Sequence, residues 1–142
     1  MKKLFPLITV LLLLIACEYD DMYGSRLNST IAEFIQEEYR GANIRSAEYD
    51  DKGYYEVEIK HDSCIKELYF DTNNNWVYTT WDVKISNIPN AIKSAISEKY
   101  PGYRIDDADY VESIEKSYYK IDIEKGVLEQ TIFVSENGEL EN

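Results

Sequence analysis

The sequence predicts an α+β fold: two tandem units, each a helix followed by antiparallel strands, joined in one curved sheet with both helices on one face. Three observations carry this expectation. They are an internal repeat, two apolar stripes at helical spacing, and runs that alternate apolar with charged residues. The repeat emerges when the chain is shifted against itself. At a shift of 61 residues, Leu27, Ile31, Ile35, Tyr39, Gly41, Ile44, Ala47 and Tyr49 fall on Ile88, Ile92, Ile96, Tyr100, Gly102, Ile105, Ala108 and Tyr110. Three residues then enter the second copy. At a shift of 64, Tyr55, Val57, Ile59, Leu68 and Phe70 fall on Tyr119, Ile121, Ile123, Ile132 and Val134. The units are read as 27–83 and 88–142.

Each unit opens with a helix. Leu27, Ile31, Phe34 and Ile35 form one apolar stripe, and Ile88, Ile92, Ala95 and Ile96 form the second. Thr30 and Glu33 have the spacing of a capping box, and Pro89 suits a first helical turn. Both helices end at a breaker, Tyr39-Arg40-Gly41 and Tyr100-Pro101-Gly102. Residues 43–49 and 103–111 read as extended. Tyr55, Val57 and Ile59 alternate with Glu56, Glu58 and Lys60, the period of a half-buried strand, and Tyr119, Ile121 and Ile123 repeat it. Turns at His61-Asp62-Ser63 and Lys125-Gly126 lead into strands whose Cys64, Leu68 and Phe70 match Leu128, Ile132 and Val134 as core positions. Further turns fall at 71–75 and 135–138, and 76–83 is a fourth strand bridging to the second unit.

The N-terminus carries an address. Lys2 and Lys3 precede an apolar run from Leu4 to Ile15, and Leu14-Ile15-Ala16-Cys17 ends it. A basic start, a short apolar core and small residues before a cut describe a secretory signal. The run is too short for a membrane span, which needs about 20 residues. The register resembles a bacterial lipobox, so residues 1–16 are expected to be removed and Cys17 to carry the lipid that holds the chain to a membrane. Residues 17–26 are then an acidic tether, and 27–142 the domain. Glu18-Tyr19-Asp20-Asp21 resembles the surface-export signal of Bacteroidetes lipoproteins, and the same charge also makes a solvated tether. The expected location is the outer membrane of the cell envelope, facing either the outer surface or the periplasm.

Charge narrows the partners. The chain has a net charge of −12, and losing Lys2 and Lys3 makes it more negative. Nucleic acid and anionic lipid surfaces select basic patches, so neither is an expected partner. Once Cys17 is consumed only Cys64 remains, so no intrachain disulfide is expected despite export.

The pattern Ile88-Pro89-x-x-Ile92-x-x-x-Ile96, Tyr100-Pro101-Gly102, Ala108-Asp109-Tyr110, Tyr118-Tyr119-x-Ile121-x-Ile123 and Glu136-Asn137-Gly138 resembles the PepSY-like lipoproteins. These small secreted proteins of Bacteroidetes are also called beta-lactamase-inhibitor-protein-like. The resemblance covers both units and implies two helix-plus-strands units, a curved sheet and no catalytic residues. Arg40, where the second unit has Pro101, departs from the pattern. Inhibitor and PepSY names imply binding by fold analogy only.

Reaction chemistry is thin. His61 lies near Asp62 and Cys64, which invites a nucleophile reading, yet Cys64 matches a core position and buried cysteine is ordinarily a small apolar residue. Asp71 to Asn75 looks like the start of a calcium loop with Asp82 at its twelfth position, but Trp76 stands where such a loop needs glycine. Asp106, Asp107 and Asp109 are expected on a solvated strand edge. No catalytic residue, metal or cofactor is assigned. What remains is aromatic. If Tyr55, Val57 and Ile59 face the helices, then Tyr54, Tyr69, Tyr118 and Phe133 face away, and Trp76 and Tyr78 are placed with them. These six residues are the expected partner face, for a protein, peptide or glycan. The alternative is that they cover one another as cross-strand pairs, in a structural or envelope-assembly lipoprotein with no soluble ligand.

Overall fold

A computed structural model describes residues 27–141. Residues 1–26, with the signal segment, Cys17 and the acidic tether, lie outside them. The chain runs α1 (Ser29–Glu38), β1 (Asn43–Tyr49), β2 (Tyr55–His61), β3 (Cys64–Phe70), β4 (Trp76–Asp82), α2 (Asn90–Lys99), β5 (Arg104–Ser113), β6 (Ser117–Lys125) and β7 (Leu128–Ser135). The strands form one seven-stranded antiparallel meander in sequence order. Only the β4–β5 connection is long, and it carries α2.

The helix caps differ from where the sequence motifs place them, by two residues at α1 and one at α2. Asn28 caps α1, its Oδ1 accepting from the Thr30 N–H at 2.9 Å, so Thr30 lies inside the helix rather than at a capping box. Pro89 caps α2 and accepts the first helical bonds through its carbonyl. Ile31 and Ile35 are buried on α1, and Ile92 and Ile96 on α2.

Register fixes the faces, because directly paired residues share one. Val57 pairs with Leu68, Leu68 with Thr79, and Thr79 with Glu112. Ala108, on the Glu112 side of β5, pairs with Ile121, and Ile121 with Ile132. This row runs across the sheet on the side both helices cover. Two apolar clusters form there. Ile31, Ile35 and Tyr39 pack on Val57, Ile59, Leu68 and Phe70, while Ile88, Ile92 and Ile96 pack on Ala108, Ile121, Ile123, Ile132 and Val134. Between the clusters Thr79 is fully buried, and its Oγ1 meets Tyr39 Oη and Trp76 Nε1, both at 2.9 Å. Beside it Lys66 Nζ sits 3.3 Å from the centre of the Trp81 ring, which packs on Tyr110.

Irregularities recur at matched places. One extra residue enters β1 between Ile44 and Ser46, and one enters β5 between Ile105 and Asp107. The bulge lets Ile44 and Ala47, three apart, both point inward, as it does Ile105 and Ala108. The β3–β4 turn bonds Asp71 N–H to Asn75 O and Asn74 N–H to Asp71 O; after β7, Ser135 N–H bonds Glu139 O and Gly138 N–H bonds Ser135 O. The calcium-like segment is this turn. Asp71 Oδ1 accepts from the backbone N–H of Asn73 and Asn75, and those bonds hold its carboxyl below the usual range.

Several expectations need correction. Cys64 and Leu128 are hairpin-end residues rather than core: Cys64 is half-buried and Leu128 is 57% exposed. Of the three aspartates expected on a strand edge, Asp109 is not on one, since it pairs with Asp82 of β4 and Lys120 of β6; Asp106 and Asp107 lie exposed beyond the end of the β4–β5 pairing. Trp76 does not join the helix-free face. It pairs with Phe70 while Tyr78 pairs with Tyr69, so β4 carries an extra residue at Val77. That bulge reverses the parity before it and stacks Trp76 on Phe34 of α1, centroids 5.5 Å apart.

Candidate functional site

The helix-free face is covered by no other element among the described residues. Over its four central strands runs a groove of about 490 Å³. Pairing places Tyr69 beside Tyr78, Glu67 beside Thr80, Thr80 beside Val111, Val111 beside Tyr118, and Asp82 beside Asp109, which pairs with Lys120. Ile65, Lys52 and part of Trp81 complete the lining. Alternation positions the paired strand residues, whose neighbours in sequence point into the helix-covered core, and the β1–β2 turn brings in Lys52.

Five of the six sequence-expected residues lie on this face. Tyr69 and Tyr78 stack at 4.3 Å with rings 16° apart, and Tyr54 meets Tyr78 edge-on at 6.3 Å. Tyr118 meets Phe133 edge-on at 5.8 Å; Phe133 is 40% exposed and the four tyrosines are half-buried. Trp76 is the exception. Reading alternation alone missed Asp82, Asp109, Val111 and Lys120. The signal was present in Asp109/Val111 and Tyr118/Lys120, each spaced by two, but placing them in one groove requires knowing that β4 neighbours β5.

The electrostatics are acidic and strained. Tyr69 Oη donates to Glu67 Oε2 at 2.9 Å, and burial with that carboxylate drives its pKa upward. Burial, then the negative charge of Asp50, pushes Tyr78 up to about 12. Burial and Glu67 raise Glu56, and burial and Asp109 raise Asp82. Lys120 Nζ donates to Asp109 Oδ2 at 3.0 Å, and that bond raises its pKa. Carboxylates oppose one another directly across this face at Glu48–Glu56, Glu58–Glu67, Asp82–Asp109, Asp107–Asp122 and Glu124–Glu129. Such like-charge pairs oppose strand pairing.

His61 and Cys64 are on the other face. They flank the β2–β3 turn, and the His61 ring lies edge-on to Tyr39. The groove thus combines aromatic rings, carboxylates, the ion-paired ammonium of Lys120 and that of Lys52 at its rim, a set suited to holding a ligand. Among the described residues no group of three or more His, Cys, Asp or Glu side chains is arranged to hold a metal ion.

A seven-stranded meander with two helices on one side and a bare aromatic groove on the other is the architecture to compare. A family model described as beta-lactamase-inhibitor-like, PepSY-like matches residues 13–66 and, again, 53–142. The chain belongs to that family. This PepSY-like protein is similar to a crystal structure of a BLIP-like protein from Bacteroides fragilis, with 27% identity, a TM-score of 0.67, and coverage of 81% of this chain and 83% of that one. It shares its fold with a DUF2874 family protein from Bacteroides ovatus, at 20% identity and TM-score 0.69 over 80% of this chain and 83% of that one. A DUF2874 family protein from Bacteroides uniformis gives 16% identity and TM-score 0.68 over 82% and 87%. None of the curated proteins matches the sequence.

Proposed function

We propose that this PepSY-like protein is a lipid-anchored, non-enzymatic binding module of the cell envelope, and that its partner sits on the helix-free sheet face. The observation that carries the reading is the groove itself, with tyrosine rings gathered on a sheet face that no helix covers. Likeness to a protein called BLIP-like accords with a binding role. The lipobox register at Cys17 supports an anchor at the outer membrane. Matched bulges and turns support reading the two units as copies of one.

The test compares partner recovery from envelope extract by the wild-type chain and by Tyr69→Ala/Tyr78→Ala. Folding of both is checked by circular dichroism. Partners lost with the variant support the reading, and equal recovery rejects it. For the anchor, Cys17→Ala should abolish incorporation of labelled fatty acid; undiminished labelling removes the lipid from Cys17. The stacking of Tyr69 on Tyr78 favours a second reading, in which the rings cover each other in a structural envelope component. The variant would then lose stability and no partner.

A further inference from the structure

We propose that the occupant of the groove is a basic segment of a partner protein, which sets one lysine or arginine side chain against the Tyr69–Tyr78 stack beside Glu67 and a second, further along the groove, against the Asp82 carboxylate. The inference rests on the helix-free face being the binding face and adds the chemistry of the partner.

Three observations point to a cation. Carboxylates face one another across paired strands on this side, an opposition that an apolar or mixed pair would not impose. Among the described residues, no lysine or arginine nitrogen comes within 4.0 Å of Glu56, Glu67 or Asp82. Lys120 neutralises Asp109 and leaves Asp82 unmatched. The rings supply the rest, since a stacked tyrosine offers a negative π face to an ammonium or guanidinium. The fold already makes this contact on its other side, where Lys66 lies over Trp81. An anionic ligand would be repelled, and a neutral glycan would leave the carboxylates opposed.

Size favours a chain segment over a small cation. Strands lie about 4.8 Å apart, so a groove across β3–β6 spans roughly 15 Å, the reach of several extended residues.

The test is an NMR titration of the full chain with a short Gly/Ala peptide bearing two arginines. Its counterpart carrying neutral citrulline and a cello-oligosaccharide are titrated alongside. The expected result is saturable movement of the Ile65, Tyr69, Tyr78 and Val111 amides with the arginine peptide. Affinity should fall about tenfold or more with citrulline, and likewise in Glu67→Gln/Asp82→Asn. That variant removes repulsion, so lost binding is not lost folding. Equal affinity for the citrulline peptide overturns the proposal, as does an arginine peptide that moves none of these amides. If the oligosaccharide alone saturates the same amides, the cation inference falls while the face keeps its binding role. If every ligand leaves them unmoved and Tyr69→Ala/Tyr78→Ala recovers the same partners, the face reading falls too.

Discussion

Thr79 shows how one hydroxyl ties a strand, β4, to the end of the helix packed on it, α1. It is fully buried, and Oγ1 accepts from Trp76 Nε1–H while sharing a hydrogen bond with the Tyr39 hydroxyl at the end of α1. Burial pushes the Tyr39 pKa up, which marks how little water reaches that hydroxyl. Replacing Thr79 with valine keeps the volume and takes the partner from the buried Tyr39 hydroxyl and the half-buried Trp76 indole N–H, each worth about 1–3 kcal/mol when left unpaired. Urea unfolding should therefore show Thr79→Val destabilised by roughly 2–4 kcal/mol. Tyr39→Phe, which leaves the indole bond in place, should cost about 0.5–1.5 kcal/mol. Equal losses would mean the indole bond adds nothing. None of this was legible in the sequence. Thr79 sits between Tyr78 and Thr80 in a polar-looking run, and only the register of β3 with β4 turns it inward.

Strand alternation made most elements readable. Tyr55, Val57 and Ile59 and their counterparts Tyr119, Ile121 and Ile123 face the helices as their period requires. The bulge at Val77 was not readable, because an extra residue in a strand leaves no mark in side-chain chemistry, and Trp76 went to the wrong face for that reason alone. The β2–β3 hairpin is a second such case. Asp62 and Ser63 both have positive φ, 48° and 65°, the conformation of a type I′ turn that usually recruits Asn-Gly. A left-handed non-glycine costs about 1–2 kcal/mol and glycine returns about 0.5–1 of that in chain entropy. Ser63→Gly should thus stabilise by about 0.5–1 kcal/mol in urea unfolding. The β4–β5 pair is strained by charge instead. Burial and Asp109 raise the Asp82 pKa, so the folded state binds a proton that the unfolded state has released. Stability therefore rises as pH falls through the carboxylate range, and the ionised pair weighs against folding at neutral pH. Asp82→Asn should gain about 0.2–1 kcal/mol at pH 7, with the gain shrinking on acidification. A gain independent of pH would assign it to something other than charge.

At the scale of the molecule, one sheet joins two cores that do not merge. The cluster under α1 draws on β2 and β3, and the cluster under α2 on β5, β6 and β7. Each stripe of the self-match underlies one cluster, but the match does not reach what lies between them, where Lys66, Thr79 and Trp81 occupy no repeated apolar position. The seam is polar and aromatic. Trp81 of β4 lies under Lys66 of β3 and packs on Tyr110 of β5 at 4.8 Å, so its ring spans the junction on the helix-covered face. Burial lowers the Lys66 pKa, the sign of an ammonium partly withdrawn from water onto that ring. Backbone pairing from Tyr78–Ser113 to Asp82–Asp109 is the other link. Small domains with one continuous core unfold as a unit, whereas weakly joined parts open separately. Trp81→Ala should therefore broaden the urea transition and lower its apparent slope, as one half opens before the other. Hydrogen exchange would show which half goes first, with amides of β2 and β3 departing from those of β6 and β7. A lower midpoint with an unchanged slope would place the coupling in the β4–β5 backbone ladder and not in the indole.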